Sequence, residues 1–176
     1  MKTGCSEKTD HQAFRTTLGH YASGVTIIAT LDDGDPVGFT CQAFQSVSAD
    51  PPLISFCVMQ TSTSYPRIRA AGKFSVNVLS AHQHTLASQF ARSGTDKWAG
   101  VEWTTTTNGN PIIADTVMWL DCEIQAVHEA GDHYIVIGAV SELCTPTGSE
   151  QAPLLYHRGK FCHPQAQEAD LTREVR

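Results

Sequence analysis

Polar side chains alternate along one stretch of this chain that has the spacing of a β-strand, residues 38–52, GFTCQAFQSVSADPP. Alternate residues of a strand share a face, so one side of this stretch would present Thr40, Gln42, Phe44, Ser46 and Ser48. The opposite side, which we expect to join the core, would present Phe39, Cys41, Ala43 and Val47. Buried polar groups without partners are unfavourable. The polar face is therefore expected either to meet solvent, as in many antiparallel sheets, or to bind a polar ligand.

Hydroxyl side chains follow the next apolar run and precede a predicted helix over residues 62–71. They are Thr61, Ser62, Thr63 and Ser64, with Arg67 and Arg69 about one turn further on. Free backbone N–H groups at a helix N-terminus bind phosphate, and hydroxyls add donors. The pattern thus indicates either a phosphate site or a plain cluster of helix-capping residues.

An imidazole stands at the start of a later apolar strand, in the sequence Gly131-Asp132-His133. A Gly-Asp turn that leads into a strand is ordinary hairpin chemistry. His133 is therefore either a partly exposed strand residue or a member of a site.

Motifs for several other activities are missing. No Gly-x-Gly is present, so the Rossmann dinucleotide loop is excluded, and Gly19 and Gly24 have Walker spacing but are followed by Val25-Thr26 where Lys is needed. There is no Gly-x-Ser-x-Gly elbow, no HExxH and no clustered Cys and His. We predict no metal site.

Charge and composition limit the partners and the compartment. The net charge is −6 and the 12 Lys and Arg residues are scattered, which argues against nucleic-acid binding because phosphate neutralisation needs clustered cations. The polar N-terminus and the lack of a long apolar stretch predict a cytoplasmic protein without a membrane segment. The six cysteines are expected to be small buried hydrophobic side chains in a reducing compartment.

Many short strands with only short helices between them favour a mainly β fold, a closed antiparallel barrel. Three helices are predicted. The first begins at a cap over residues 9–12 and carries Phe14, Leu18 and Tyr21 on one face. The other two extend over residues 62–71 and 82–91. Strands are predicted over residues 25–31, 37–49, 53–58, 74–79, 116–127, 134–140 and from 154 onward, and residues 95–110 are predicted to form a loop. We expect a single domain over residues 1–176, with a core over about 11–162 and flexible tails at 1–10 and 164–176.

The order and spacing of several segments resemble the short-chain flavin reductase family. The segments are FR at 14–15 with YASGVT at 21–26, GFT at 38–40 with SVSADPP at 46–52, FSVNVL at 74–79, residues 83–91, GDH at 131–133 and PLLYHRG at 153–159. The resemblance implies a split antiparallel β-barrel of the Greek-key, FMN-binding type. Where relatives often carry Ala-Asn-Ser or Ala-Thr-Ser, this chain has Cys41-Gln42-Ala43, so one hydroxyl donor is lost or is replaced by Gln42.

The resemblance also implies site residues. The flavin would lie along residues 40–48, its phosphate near 61–64, and His133 beside the nicotinamide as the catalytic-side contact. The cofactor-binding residues implied are Thr40, Gln42, Ala43, Ser46, Val47, Ser48, Thr61, Ser62, Thr63, Ser64, Asn77, Phe90, Tyr156 and Arg158, the last two meeting adenosine or phosphate.

By the same resemblance, the expected reaction is hydride transfer from NADH (or NADPH) to FMN or FAD, in a homodimer that supplies reduced flavin to a separate, diffusing partner oxygenase. Neither nucleic acid nor membrane is an expected partner. The alternatives are a flavin-binding electron-transfer or storage protein, an oxidase of the pyridoxamine-phosphate type, and a ferric reductase.

Overall fold

The computed structural model describes residues 10–146 and 151–164. Its helices are α1 (His11–Leu18), α2 (Tyr65–Ala71) and α3 (His84–Ala91), with a 3₁₀ turn at Ala81–Gln83. Its strands are β1 (Ser23–Gly24), β2 (Thr26–Asp32), β3 (Asp35–Cys41), β4 (Phe44–Ala49), β5 (Pro52–Met59), β6 (Lys73–Val78), β7 (Trp103–Thr105), β8 (Pro111–Ile113), β9 (Met118–Ala130), β10 (His133–Cys144), β11 (Leu155–His157) and β12 (Lys160–Cys162). The prediction of a mainly β fold with a few short helices is confirmed. Within the described ranges, no helix is long and apolar enough to cross a membrane.

Seven antiparallel strands form the main sheet, in the order β3-β2-β6-β9-β10-β5-β4. Its two edge strands, β3 and β4, are consecutive in the chain and only Gln42 and Ala43 separate them. The sheet therefore bends so that these two edges lie close to each other where the chain passes between them, and there the N–H of Cys57 on β5 donates to the carbonyl of Ala43 at 2.9 Å. Two smaller sheets, β1-β11-β12 and β7-β8, complete the strands.

The main apolar core lies inside this bend. Phe56 and Phe74 are fully buried there and meet edge to face, with ring centroids 5.1 Å apart. Gly138 on β10 lets Phe74 approach, because a Cβ at that position would lie 2.6 Å from its Cζ. A second cluster, which includes Phe90 and Leu154, packs α3 against the other side of β2. Burial of such side chains supplies the main stabilising free energy of the fold.

The stretch predicted as one strand over residues 37–49 is divided into β3 and β4. β3 pairs with β2, whereas β4 pairs with β5 at the opposite edge of the sheet, and a register shift between Ser46 and Ser48 resets the alternation. The division leaves Val47 half exposed and turns Phe44 toward the core. The prediction that Val47 and Ala43 join the core is therefore wrong.

Two further expectations change. The predicted loop at residues 95–110 contains β7. Next to it, Asp121 of β9 is fully buried, and one of its carboxylate oxygens accepts from Asn110 Nδ2 at 2.6 Å. Helix α1 is capped by Asp10, whose Oδ1 accepts from the N–H of Ala13. The predicted cap residue Thr9 and the predicted tails at 1–9 and 165–176 lie outside the described residues.

Candidate functional site

A cleft of about 390 Å³ opens where the chain passes from β3 to β4. We call it the central cleft. Its lining includes Thr40, Gln42, Ala43, Cys57, Met59, Thr61, Ser62, Thr63, Ser64, Phe90, Lys97 and His133. The polar stretch, the hydroxyl cluster and the Gly-Asp-His turn, which lie far apart in the sequence, thus meet in one cavity. Its volume is within the range of about 300–1,000 Å³ that small-molecule sites occupy.

The wall from β3 is already partly hydrogen-bonded. The hydroxyl of Thr40 donates to the carbonyl of Ala87 in α3 at 2.6 Å. This hydrogen bond holds α3 against β3, and the hydroxyl hydrogen is therefore already engaged without a ligand. The Oε1 of Gln42 accepts from the hydroxyl of Ser23 at 3.1 Å. That bond directs the Gln42 side chain and leaves its NH₂ group with two hydrogens to offer to a bound molecule.

The hydroxyl cluster before α2 divides into two pairs. Ser62 and Ser64 hold the loop itself: Ser62 Oγ accepts from the N–H of Tyr65 at 3.2 Å, and the Ser64 hydroxyl donates to the carbonyl of Gly38 at 3.0 Å. Thr61 and Thr63 are exposed at the cleft. The Ser62 hydroxyl only accepts in its contact with Tyr65 and keeps its own proton to donate. Thr61, Ser62 and Thr63 are therefore open to a ligand, whereas Ser64 is buried and holds the loop.

Lys97 is the cation of the site, and the sequence reasoning missed it. Its Nζ donates to the carbonyl of Gly38 at 3.2 Å and to Ser64 Oγ at 3.4 Å. Among residues 10–146 and 151–164 no carboxylate forms an ion pair with it. Burial lowers the pKa of its ammonium group. A half-buried ammonium without a counter-ion favours an anionic ligand, because an opposite charge offsets its lost hydration.

The Gly-Asp-His turn is fixed by Gln60 at the end of β5. The N–H of Gln60 donates to the carbonyl of Asp132 at 3.0 Å, and its side-chain amide donates to the carbonyl of Gly131 at 3.2 Å. Gly131 has a φ of +63°, a conformation that glycine adopts without strain. The turn therefore places His133 at the rim of the central cleft in a defined position.

The imidazole of His133 is oriented by its neighbour. Its Nδ1 lies 2.6 Å from Oδ1 of Asp132, and this hydrogen bond lowers the pKa of the Asp132 carboxyl. With Nδ1 engaged, Nε2 is the ring atom left to meet a ligand.

Two more clefts adjoin the central one. The tyrosine cleft, of about 700 Å³, shares three residues with it and is lined by Val25, Thr40, Gln42, Ser88, Ala91, Tyr156, Gly159, Lys160 and Phe161. The loop cleft, of about 540 Å³, shares three others and is lined by Asp35, Pro36, Val37, Gly38, Thr63, Ser64, Arg67, Gly94, Thr95, Asp96, Lys97 and Trp98. The three cavities thus form a continuous chain with the central cleft in the middle.

Five of the predicted site residues lie elsewhere. Asn77 is fully buried in β6; its Oδ1 accepts from the N–H of Ile113 at 2.8 Å, and its NH₂ group contacts Ser75 Oγ and the carbonyls of Ile27 and Pro111. Its position corrects the expectation that it contacts a cofactor. On the edge strand β4, Ser46, Val47 and Ser48 line none of the three clefts.

The fifth, Arg158, is exposed in the turn after β11 and has a φ of +50°. Its N–H donates to the carbonyl of Gly19 at 2.7 Å, and it does not line the tyrosine cleft although its neighbour Gly159 does. In the part of the chain that the structure describes, no three His, Cys, Asp or Glu side chains are grouped to hold a metal ion.

Comparison with known proteins shows the family of this chain. The family model described as "Flavin reductase like domain" matches residues 18–165. The reductase subunit HsaB of the flavin-dependent monooxygenase of Rhodococcus jostii is 43% identical over 156 residues, which cover 89% of this chain and 79% of the relative. A flavin reductase of Pseudomonas putida is 46% identical over 153 residues, 86% of this chain and 89% of the relative. The solved structure of the NADH:FAD oxidoreductase SgcE6 of Streptomyces globisporus, in complex with NAD and FAD fragments, superposes with a TM-score of 0.84 at 32% identity and covers 94% of this chain and all of that one.

Proposed function

The chain belongs to the flavin reductase family, and from this and its central cleft we propose that it reduces a flavin with NADH and passes the reduced flavin to a partner monooxygenase. The observation that supports the proposal most directly is the central cleft. It brings together a wall with the amide of Gln42, the ammonium group of Lys97 without a carboxylate partner among the described residues, and the oriented imidazole of His133. Flavin carries out the redox chemistry when bound: NADH gives a hydride from C4 to flavin N5, a proton enters from solvent, and NAD⁺ and reduced flavin result.

The wall formed by Thr40, Gln42 and Ala43 supports the flat ring of the flavin. Phe90 is fully buried and packs against Gly38 on the same strand as Thr40, where a Cβ would lie 3.0 Å from its ring, and this packing makes the wall rigid. The Gln42 NH₂ group, directed by Ser23, donates to a polar edge of the ring and takes the place of the hydroxyl that many relatives carry. Fixed donors of this kind stabilise the negative charge that reduction places on the ring.

The phosphate of the flavin is bound by Lys97 together with the hydroxyls of Thr61 and Thr63. A charge-assisted hydrogen bond from an ammonium to phosphate is stronger than a neutral one. The Ser62 hydroxyl, which lines the same cleft, adds a third donor. Ser64 acts indirectly, since it is buried and shapes the loop that carries these hydroxyls.

His133 contacts the nicotinamide nucleotide through Nε2 at the rim of the cleft. Hydride transfer needs no proton from a side chain, so His133 aligns the donor and is not an obligatory acid. No Rossmann loop is present, and the tyrosine cleft is therefore the place for the rest of the dinucleotide, with Tyr156 against the adenosine. Alignment of the two rings contributes to rate chiefly as a proximity effect.

The fold is a split barrel of the FMN-binding type, and the protein acts as a homodimer. The continuity of the two edge strands across Gln42-Ala43 supports the barrel. Helix α1 supports the dimer: it has eight residues with none buried, although Phe14 and Leu18 are apolar, and Tyr21 just after the helix is exposed as well. A helix this short is marginal in water by itself, so a second copy is expected to cover it.

One assay separates this function from the alternative of an electron-transfer or storage protein. Purified protein is mixed with NADH and with FMN or FAD, and the nicotinamide absorbance is followed. Catalytic loss of NADH that depends on added flavin supports the reductase. Flavin binding without NADH turnover would identify the alternative, and turnover that requires ferric iron would identify a ferric reductase.

A further inference from the structure

We propose that the loop cleft binds the adenylate half of FAD, so that this chain selects FAD over FMN. The inference rests on the proposed function, because it extends the flavin site from the phosphate outward. The loop cleft begins where the central cleft ends: Thr63, Ser64 and Lys97 line both cavities. A group attached to a phosphate bound at Lys97 therefore enters the loop cleft directly.

The loop cleft offers a second cation at a suitable place. Arg67 lies in the first turn of α2, three residues after Ser64. Its Nε donates to Oδ2 of Asp32 on β2, which directs the guanidinium and leaves its terminal NH₂ groups for a ligand. FAD carries a diphosphate, whereas FMN carries one phosphate. Lys97 and Arg67 together thus match the two linked phosphates.

The remainder of the loop cleft suits a nucleoside. Pro36 and Trp98 provide flat apolar surface, and Trp98 is fixed by an edge-to-face contact with Phe90 at a centroid distance of 4.9 Å. Asp35 and Asp96 add carboxylates, which accept hydrogen bonds from an exocyclic amino group or from ribose hydroxyls and repel any further phosphate. A base can stack on an aromatic side chain such as Trp98 even where the site is open to solvent on its other side.

The tyrosine cleft is larger but does not fit the adenylate of the flavin. It joins the central cleft at Thr40, Gln42 and Ala91, not at the residues that surround Lys97. The adenylate of FAD is connected to the ring system only through its phosphates, so it must leave from the phosphate end. The tyrosine cleft is then left for the nicotinamide dinucleotide.

The test is a set of equilibrium titrations with FMN and FAD, followed by flavin fluorescence. Wild-type protein is expected to bind FAD about tenfold or more tightly than FMN. Arg67→Ala is expected to weaken FAD binding about tenfold, the value of one charged hydrogen bond, and to change FMN binding less than about twofold. Thr95→Trp, which fills the loop cleft without touching the central one, should have the same selective effect. Arg92→Ala, an exposed arginine of the same size that does not line the loop cleft, is the control and should change neither.

The outcomes separate the two proposals. Equal weakening of FMN and FAD by both variants, or no change of either, overturns the adenylate assignment, while NADH oxidation with FMN would still uphold the reductase. A protein that binds neither flavin overturns both. Thermal unfolding of each variant checks that a loss of FAD binding is not a loss of fold.

Discussion

The Nζ of Lys97 lies 3.4 Å from Oγ of Ser64, although the two residues stand 33 positions apart in the chain. The contact ties the loop after α3 to the start of α2 and leaves the ammonium group without a carboxylate partner among the described residues. The fold thus places a half-buried positive charge at the mouth of its central cleft. Because burial of an unpaired charge lowers the free energy of unfolding, this position indicates that Lys97 binds an anion.

Replacement of Lys97 by Met is expected to weaken FMN binding about tenfold, because one charge-assisted hydrogen bond to phosphate is lost. Riboflavin, which lacks the phosphate, should bind wild type and variant alike. Isothermal titration with both ligands measures the two effects. Lys97→Arg, which keeps the charge, should recover part of the FMN affinity. An equal loss for riboflavin and FMN would show that Lys97 supports the loop and does not bind phosphate.

The pH dependence of flavin binding has a definite sign. Burial lowers the pKa of Lys97 below its ordinary value of 10.5, so the folded protein loses this proton earlier than the unfolded chain as pH rises. FMN affinity that depends on the ammonium should be full below the lowered pKa and fall as pH rises through it. In Lys97→Arg the fall should disappear, since a guanidinium stays charged. Titrations from neutral to alkaline pH measure both proteins, and identical profiles would contradict the role.

The same group affects stability without ligand in the opposite sense. Between the lowered pKa of Lys97 and 10.5 the unfolded chain binds more protons than the folded one, and this group's contribution to the free energy of unfolding rises with pH. The contribution of Lys97 to the stability of the ligand-free protein and its contribution to flavin affinity should therefore change with alkaline pH in opposite directions, and a comparison of wild type with Lys97→Arg in urea unfolding and in flavin titration isolates the two.

His133→Ala is expected to raise KM for NADH and to lower kcat/KM, while the dissociation constant for flavin stays near the wild-type value. The reason is that His133 lies at the rim of the cleft, whereas Lys97 and Gln42 hold the flavin. Steady-state kinetics beside a flavin titration measure the split. Asp132→Asn should give a smaller effect of the same kind, because it loosens the 2.6 Å contact that orients the imidazole. Equal losses in both measurements would remove His133 from the nicotinamide site.

Asn77 tests the difference between a binding residue and a structural one. Asn77→Ala removes the acceptor of the buried Ile113 N–H and should lower the free energy of unfolding by about 1–3 kcal/mol, the penalty for an unsatisfied buried group. FMN affinity of the folded fraction should not change. Ser46→Ala, on the exposed edge strand, is the control and should alter stability by less than about 0.5 kcal/mol. Urea unfolding measures both variants.

The sequence was sufficient for the parts of the site that depend on local chemistry. The hydroxyls at Thr61 and Thr63 stand out beside an apolar run, and glycine before Asp132 marks a tight turn, so both segments could be predicted to lie at strand ends. The strand content followed from β-branched and apolar runs. These signals need no knowledge of distant contacts.

What the sequence could not reveal depends on long-range partners. No glycine or proline interrupts the strand at Gln42-Ala43; the break arises because the two halves pair at opposite edges of one sheet. Lys97 stands in a polar segment with no periodic pattern, and only the fold brings it to Ser64. The expectation that Asn77 lies at the site rests only on the family resemblance, and the fold shows instead that the backbone of β8 satisfies its amide.

Helix α1 provides the last prediction. Phe14 and Leu18 are 53% and 54% exposed, and their spacing of four residues places them on one side of the helix. Tyr21, just after the helix ends, is 79% exposed. If a second copy covers this side, Leu18→Glu buries an unpaired charge in the interface and should convert the dimer to a monomer. Thr16→Glu, which projects from a different side of the same helix, should leave the dimer intact. Sedimentation equilibrium measures the mass of each protein. A wild-type protein that is monomeric at micromolar concentration would contradict the dimer. A Leu18→Glu variant that remains dimeric would show that the subunit contact lies elsewhere.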